Sequence, residues 1–388
     1  MDFNRKAMIF SVSVLGLSLT IFLFAYMVFG DNTDEDLRTL RQVNMLLCYQ
    51  LIFRHGAKYP DRAYRKDYLH QEIQASDPGS LSLSGSLQMY NLGELLRHRY
   101  IKLFPNNGFY SKKFIQVKSS WMDRTIASAL SFLAGFMPPL QNTNPLPIPW
   151  QPVPVVSIAR DRDDLIAQKR ACARYDEVYK AQMNSEEIKA IDERSKNLYK
   201  ILSKNTGENI SSIRDVEFLQ NTLEAEEAAS WEIPDWTEDF YPSKTLPLAE
   251  RYLRLLTETP FMKRIKGGPL ITEIIETMVA RKNQLSEKAI SIYSGHDVTL
   301  VNVMNAMHIL NQTSGKPDFA AALAIELHLS LDHKNDMDVK IYYYFNSEDK
   351  YPKSIKIPSC DSPCSLDRFR KVMNGLIVND FEKLCETA

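Results

Sequence analysis

The chain has 388 residues, a formal net charge of −1, a pI near 6.7, and 44% hydrophobic and 24% charged residues. So even a balance argues against nucleic acid or an anionic membrane surface as the partner. No heptad, internal repeat or low-complexity tract points to a coiled coil, a solenoid or a disordered chain, and the length suits one large domain or two ordinary ones.

In chain order, Ala7 to Gly30 comes first, an uncharged apolar run with Arg5 and Lys6 before it and Asp31, Asp34, Glu35 and Asp36 after it. It is longer than the roughly 7–15-residue apolar core of a cleaved signal peptide and meets the about 20 residues of a spanning helix. Residues 1–30 therefore read as a signal-anchor, or as a signal peptide cleaved after Gly30. In both cases the basic flank stays cytosolic and the chain beyond residue 30 is exported. Residues 31–43 are polar and acidic and read as a stalk.

From Met45 to Phe53 the chain is almost continuously apolar, as a strand covered on both faces is. Arg54 to Pro60 is the loop at its carboxyl end, and Pro60, Pro78, Gly79 and Gly85 mark an irregular stretch. A helix is predicted from Leu87, with Leu92, Leu95, Leu96 and Tyr100 on one face. A second strand follows from Phe114 to Ser119. Asp123 is the predicted N-cap of the next helix, whose apolar face is Ile126, Ala129, Leu130 and Leu133. Pro138 and Pro139 stop it, and Pro145 to Pro154 crosses into another subdomain.

Residues 160 to 285 are rich in Lys, Glu, Arg and Leu and read as mostly helical, a cap over the sheet lying within about 155–285. Ala289 to Ser294 is a strand, Val298 to about Met307 a helix, and Leu323–Leu329 with Val339–Phe345 a hairpin. The order predicts an α/β fold, a mixed central sheet with helices on both faces plus a mostly helical cap subdomain, spanning 44–388.

Five cysteines fit an oxidising compartment. Their connectivity is open from arithmetic alone. Cys360 and Cys364 lie in a turn-rich segment where a small loop can close. Cys48, inside the first strand, is most simply a buried thiol, which leaves Cys172 and Cys385. Asn209-Ile210-Ser211 and Asn311-Gln312-Thr313 are glycosylation sequons and support export. His70, His98, His308, His328 and His333 show no metal-ligand spacing and read as structural.

Two charged clusters follow strands: Arg54-His55-Gly56 near the start and His296-Asp297 near the end, with Met122-Asp123-Arg124-Thr125 after a third. Alone, each is weak, a structural loop or a helix cap. Together they suit a phosphoryl group in the crevice outside the carboxyl ends of an α/β sheet. His55 is the candidate nucleophile, since a neutral imidazole can carry a phosphoryl group as phosphohistidine. Arg54 and Arg124 can bind phosphate oxygens in bidentate fashion and disfavour protonation of His55; Lys58 adds charge and His296 can donate. Asp297 is the candidate general acid. An acidic optimum follows, because a carboxyl beside cations keeps its proton only in acid or beside the negative charge of a bound phosphate.

Arg54-His55-Gly56-Ala57-Lys58-Tyr59-Pro60 resembles the signature of the histidine acid phosphatases, Arg-His-Gly-x-Arg-x-Pro. Lys118-Ser119-Ser120-x-x-Asp123-Arg124-Thr125 is similar to a second family segment, and Tyr293 to Thr299 to its His-Asp motif. Cys360 to Phe369 looks like its paired-cysteine turn. Trp150-Gln151-Pro152 and Gly267-Gly268-Pro269-Leu270 look most like the insect venom and lysosomal/prostatic types. The resemblance implies His55 as nucleophile, Asp297 as proton donor, and Arg54, Arg124 and His296 as phosphate ligands. It also implies the α/β domain with a helical cap, no cofactor or metal, and the disulfides Cys172–Cys385 and Cys360–Cys364.

The implied activity is acid hydrolysis of small phosphomonoesters or phosphoproteins. A more selective phosphatase, on inositol polyphosphates or lysophosphatidate, or a weakened binding protein, is the alternative. Family members are often dimers, but no interface is legible. Lys58 departs from the family arginine and predicts weaker phosphate binding; Lys118 also stands where arginine is common. Lysosomal-type members carry a carboxyl-terminal span, whereas the anchor expected here is amino-terminal, with a lumenal or extracellular catalytic domain.

Overall fold

The computed structural model describes residues 46–105, 108–139, 146–313, 315–330 and 336–386. The apolar leader and the stalk lie outside these residues. Among the described residues, no helix is long and apolar enough to cross a membrane.

The strands are β1 (Leu46–Arg54), β2 (Ile115–Ser120), β3 (Val156–Ile158), β4 (Ile290–Gly295), β5 (Ala322–Leu329), β6 (Met337–Tyr344), β7 (Lys353–Ile355) and β8 (Cys364–Ser365). They form one mixed sheet in the order β3-β2-β4-β1-β5-β6-β7, with β8 on β6. β1, β2, β3 and β4 pair in parallel, whereas β5, β6, β7 and β8 pair antiparallel. Nearly all of β1 is buried, because helices cover both of its faces.

Side chains of β1 alternate between two cores. Cys48 and Ile52 face one that holds helix α9 (Gly268–Lys282) through Leu270, Ile271, Ile274 and Met278, and helix α10 (Asp297–Ala306) through Leu300, Val303 and Met304. Tyr49 and Phe53 face helices α2 (Leu83–Tyr100) and α3 (Asp123–Phe136). There Tyr49 stacks on Tyr100 at 3.8 Å between centroids, and Phe53 meets Phe132 at 5.1 Å. Cys48 is a buried free thiol, and Cys172–Cys385 and Cys360–Cys364 are disulfides.

Several elements differ from the sequence reading. Helix α2 starts at Leu83, not Leu87, because Ser82 caps it by accepting from the Gly85 amide. A short helix α1 (His70–Ala75) interrupts the stretch read as irregular. The N-cap of α3 is Met122, and Asp123 sits in the first turn without a capping bond, where a carboxylate suits the helix dipole. Ala129 and Leu133 are buried on α3 as expected, joined by Phe132 and Phe136, whereas Leu130 is exposed. In β5 the polar members of the alternation are buried too. Glu326 accepts from Arg99 (2.8 Å), Tyr100 (2.7 Å) and His328 (2.7 Å). Burial alone would raise its carboxyl, but the bonds from His328 and Arg99 hold it at about 2.

The helical insertion runs through α4 (Ala173–Met183), α5 (Glu186–Thr206), α6 (Ile213–Ala228), α7 (Leu246–Leu255) and α8 (Pro260–Lys266). It is narrower than 155–285, since β3 belongs to the sheet and α9 packs on the sheet core. Tyr64, from the loop after β1, joins Tyr199, Leu202, Val216, Leu219 and Leu223 in the core of the insertion and ties the two together.

Beside that seam, Glu226 of α6 is fully buried next to the Asp67 carboxyl. Burial first, then the Asp67 carboxylate, push it from 4.5 up to about 9. The native state therefore binds this proton more tightly than the unfolded chain, so its stabilising contribution is complete below 4.5 and is lost as the pH rises through about 9. Thermal unfolding scans of Glu226→Gln are expected to show a Tm that declines less between those two values than that of the parent chain. Identical slopes would mean that Glu226 carries no such proton.

Candidate functional site

Three adjacent strands, β2-β4-β1, run parallel in register, with Arg54 opposite Gly295 and Ser119 opposite Ser294. Their carboxyl ends therefore lie side by side, where a ligand crevice forms in such sheets. A cavity of about 330 Å³ opens there, and Arg54, His55, Lys58, Arg124, His296 and Asp297 all line it. The six residues singled out from three distant segments thus line one cavity.

Arg54 ends β1 and is buried, its guanidinium 3.9 Å over the Phe319 ring. Its Nη1 donates to Glu224 Oε1 at 2.6 Å and to the Pro317 carbonyl at 2.7 Å; Nη2 lies 3.5 Å from Asp297 Oδ2. Its Nε, also buried, has no hydrogen-bond partner among the described residues.

His55 Nδ1 lies 2.9 Å from the Gly56 carbonyl. A carbonyl only accepts, so Nδ1 carries the hydrogen and the lone pair is on Nε2, where Arg124 Nε donates to it at 3.2 Å. Burial first, then the charges of Arg124, His296 and Arg54, push His55 well below the ordinary histidine range. The loop that holds the ring packs tightly on the first turn of α2. A Cβ on Gly56 would lie 2.2 Å from the Gly85 carbonyl oxygen, and one on Gly85 2.0 Å from that of Ala57. Only glycine fits at either position.

Arg124 stands in the first turn of α3 and Nη1 reaches Asp61 Oδ1 at 3.4 Å. Lys58 also lines the cavity, but its ammonium rests on Asp61 Oδ2 at 2.9 Å. Lys118 is committed to Glu273 of α9 at 2.6 Å. His296 caps α10, its amide donating to Thr299 Oγ1 at 3.1 Å and its Nε2 lying 2.9 Å from Ser120 Oγ. Burial, then Arg124, lower its ring to about 3. The two rings meet edge to face, 5.5 Å apart.

Several contributors were not read from the sequence, Asp61 among them. Glu224 of α6 pairs with both Arg54 and Lys316, and Lys316 Nζ lies 3.7 Å from Asp297 Oδ2. Arg54, Glu224, Lys316 and Asp297 thus close a ring of alternating charges that orients the first and last motifs against each other. Asn221 and Glu217, one and two turns before Glu224, share its face of α6; Asn221 lines the cavity. The available signal was the polar stripe at i, i+4 and i+7 beside the apolar face of that helix. Among the described residues, no three His, Cys, Asp or Glu side chains are grouped to hold a metal ion.

A neutral, oriented imidazole in a cavity lined by guanidinium groups, with a carboxyl on the neighbouring strand end, is the arrangement of a histidine-centred anion site. The chain belongs to the histidine phosphatase superfamily (branch 2), whose model matches residues 45–344. It is 28% identical over 359 residues to the venom acid phosphatase of Apis mellifera, covering 89% of this chain and 88% of that one. Against human lysosomal acid phosphatase it is 28% identical over 346 residues, 87% and 79% of the two chains. Among solved structures, the apo phytase of Hafnia alvei superposes with a TM-score of 0.65 at 14% identity, covering 89% and 98%. The multiple inositol polyphosphate phosphatase of Bifidobacterium longum gives 0.52 at 11% identity, covering 87% and 94%. At those identities the structural neighbours speak for the fold.

Glu217 is a buried carboxyl whose charge bears on Asp297. Burial, then Asp297, push it up to about 7, so it is neutral in acid and gains its charge near neutrality, next to the cavity. Affinity for inorganic phosphate, measured by calorimetry across pH, is expected to weaken as the pH passes about 7, and Glu217→Gln to move that weakening upward. Superimposable profiles for the two proteins would take Glu217 out of the account.

Proposed function

We propose that the protein is an exported acid phosphatase that transfers the phosphoryl group of a phosphomonoester to His55 and then to water. The observation that carries this reading is the fixed tautomer of His55, with Nε2 unprotonated and facing the cation-lined cavity. Arg54, Arg124 and His296 hold the phosphate oxygens, and the Arg124 hydrogen now spent on Nε2 turns to the substrate. Nε2 attacks phosphorus, the P–O bond to the alcohol breaks, and Asp297 gives its proton to the departing alkoxide. Asp297, now a carboxylate, takes a proton from water; the hydroxide displaces His55 and phosphate leaves. Because both imidazoles are held below the ordinary value of about 6.5, neither is lost to protonation in mild acid.

The setting follows from chemistry outside the site. Two disulfides suit an oxidising compartment. Asn209 and Asn311, the acceptors of the two sequons, are exposed. Residues 1–30 are proposed as the leader that directs export, tethering the enzyme to the membrane where it is retained, with residues 31–43 as the stalk.

Hydrolysis of 4-nitrophenyl phosphate in mild acid tests the reading. His55→Ala is expected to lower kcat by more than about a thousandfold. Asp297→Asn is expected to cost about 10²–10⁴ for alkyl phosphates, and less for the nitrophenyl ester, whose leaving group needs no proton. Phosphate binding without turnover in the parent chain would instead make it a binding protein.

Lys58 gives a second test. Lysine offers a point charge where arginine offers a planar fork. Lys58→Arg is expected to lower KM several-fold with kcat little changed. An unchanged KM would leave Lys58 to its partner Asp61 and remove it from the phosphate site.

A further inference from the structure

The cavity is larger and more cationic than a single phosphate requires. Its volume of about 330 Å³ falls within the roughly 300–1,000 Å³ of pockets that enclose whole small molecules. Two further cations, Arg160 and Lys169, also line it, and both are exposed where His55 is buried. Neither forms an ion pair among the described residues.

We propose that Arg160 and Lys169 form a second anion subsite, so that the preferred substrate is a phosphomonoester whose alcohol carries a further anionic group, a phosphate above all. This rests on the phosphatase reading of the deeper site.

Several observations set these two cations apart from ordinary surface charges. They stand at the two ends of one folded loop that starts after β3. Inside it, Asp163 accepts from the amides of Leu165 (3.0 Å), Ile166 (2.8 Å) and Ala167 (2.9 Å), and its carbonyl accepts from the Lys169 amide at 2.8 Å. These bonds bring residue 169 back towards residue 160.

The loop is also pinned from outside, next to Lys169. Thr299 donates to the Ile166 carbonyl at 2.7 Å, Asn302 to Gln168 Oε1 at 2.6 Å, and Lys266 to the Gln168 carbonyl at 2.7 Å. Thr299 and Asn302 belong to α10, the helix that begins with Asp297. The subsite is therefore held rigidly to the proposed proton donor.

Two of the three carboxylates nearest in sequence are engaged within the loop, and the third, Asp161, is exposed and, among the described residues, pairs with neither cation. Asp163 is spent on backbone amides, and Asp164 pairs with Arg170 at 2.8 Å. The charge of Arg160 bears on both Lys169 and Arg124. Like charges repel, and an anion bound between them relieves the repulsion. Guanidinium and ammonium together suit phosphate oxygens, the first as a fork and the second as a point charge.

The test compares the bisphosphates of propane-1,3-diol, butane-1,4-diol and hexane-1,6-diol with the matching monophosphates, and with ω-carboxyalkyl phosphates of the same lengths. The readout is the ratio of kcat/KM between each pair, halved for the two equivalent phosphates of a bisphosphate. That ratio does not depend on how much of a variant is folded. At the best-fitting length it is expected to be about tenfold in favour of the bisphosphate, as one charge-assisted contact provides. A carboxylate matching the phosphate would show that any anion serves. In the double variant Arg160→Gln, Lys169→Gln the ratio is expected to fall to within about twofold of one.

Equal values for mono- and bisphosphates at every length, or a preference that survives in the double variant, would overturn the subsite. The same ratio of Kd, measured by calorimetry on His55→Ala protein, reports the subsite without turnover. Failure of the phosphatase reading would appear as no hydrolysis of any ester by the parent chain. Failure of the subsite would appear as hydrolysis and binding that ignore the second anion.

Discussion

One imidazole, kept neutral and turned to present a bare nitrogen, is the constraint that the rest of the molecule satisfies. The Gly56 carbonyl takes the Nδ1 hydrogen, which decides the tautomer, and burial among guanidinium groups withholds a second proton. That carbonyl is where it is because the chain turns sharply after β1 and packs glycine against glycine on the start of α2. β1 in turn is held between β4 and β5 in the middle of the sheet. A site so dependent on one backbone oxygen needs a stiff support, and a central strand covered on both faces supplies it.

The same arrangement explains why charged groups that would repel in isolation are tolerated at this depth. Arg54 and Lys316 are both buried, and each is compensated by Glu224 and Asp297 in a closed ring. Arg124 and Lys58 share Asp61 in the same way on the more open side. The ring joins the sheet to α6 of the helical insertion. The insertion is therefore part of the site, since it supplies Glu224 and Asn221.

The strands and the motifs after them were legible because both signals are local. A continuous apolar run marks β1 and β4, and the chemistry sits in the next few residues of the chain. Placing those residues together needed only the rule that parallel strands end on one side. The boundaries shifted where a side chain or a turn intervened: Ser82 starts α2 early, and Met122 takes the cap position assigned to Asp123.

What was not legible comes from long-range pairing. Glu217, Asn221 and Glu224 look in sequence like the solvated stripe of a charged helix, and only the approach of the sheet makes them interior. Lys316 lies in a loop with no pattern of its own. Nothing local announces Arg99 and Tyr100 as the partners that let Glu326 be buried in β5. In each case a polar group is buried because a distant one satisfies it, a relation that periodicity does not encode.

The central claim is covalent: phosphorus is bonded to His55 Nε2 midway through the reaction. A phosphoramidate of this kind survives alkali and is hydrolysed in acid, the reverse of a phosphoserine. Rapid mixing with a ³²P-labelled ester, quenching in alkali and peptide mapping is the most direct measurement. The account predicts alkali-stable, acid-labile label on the peptide containing His55, at a level that rises with substrate and vanishes in His55→Ala. Turnover with no label at any quench time, or label on a different side chain, would contradict it.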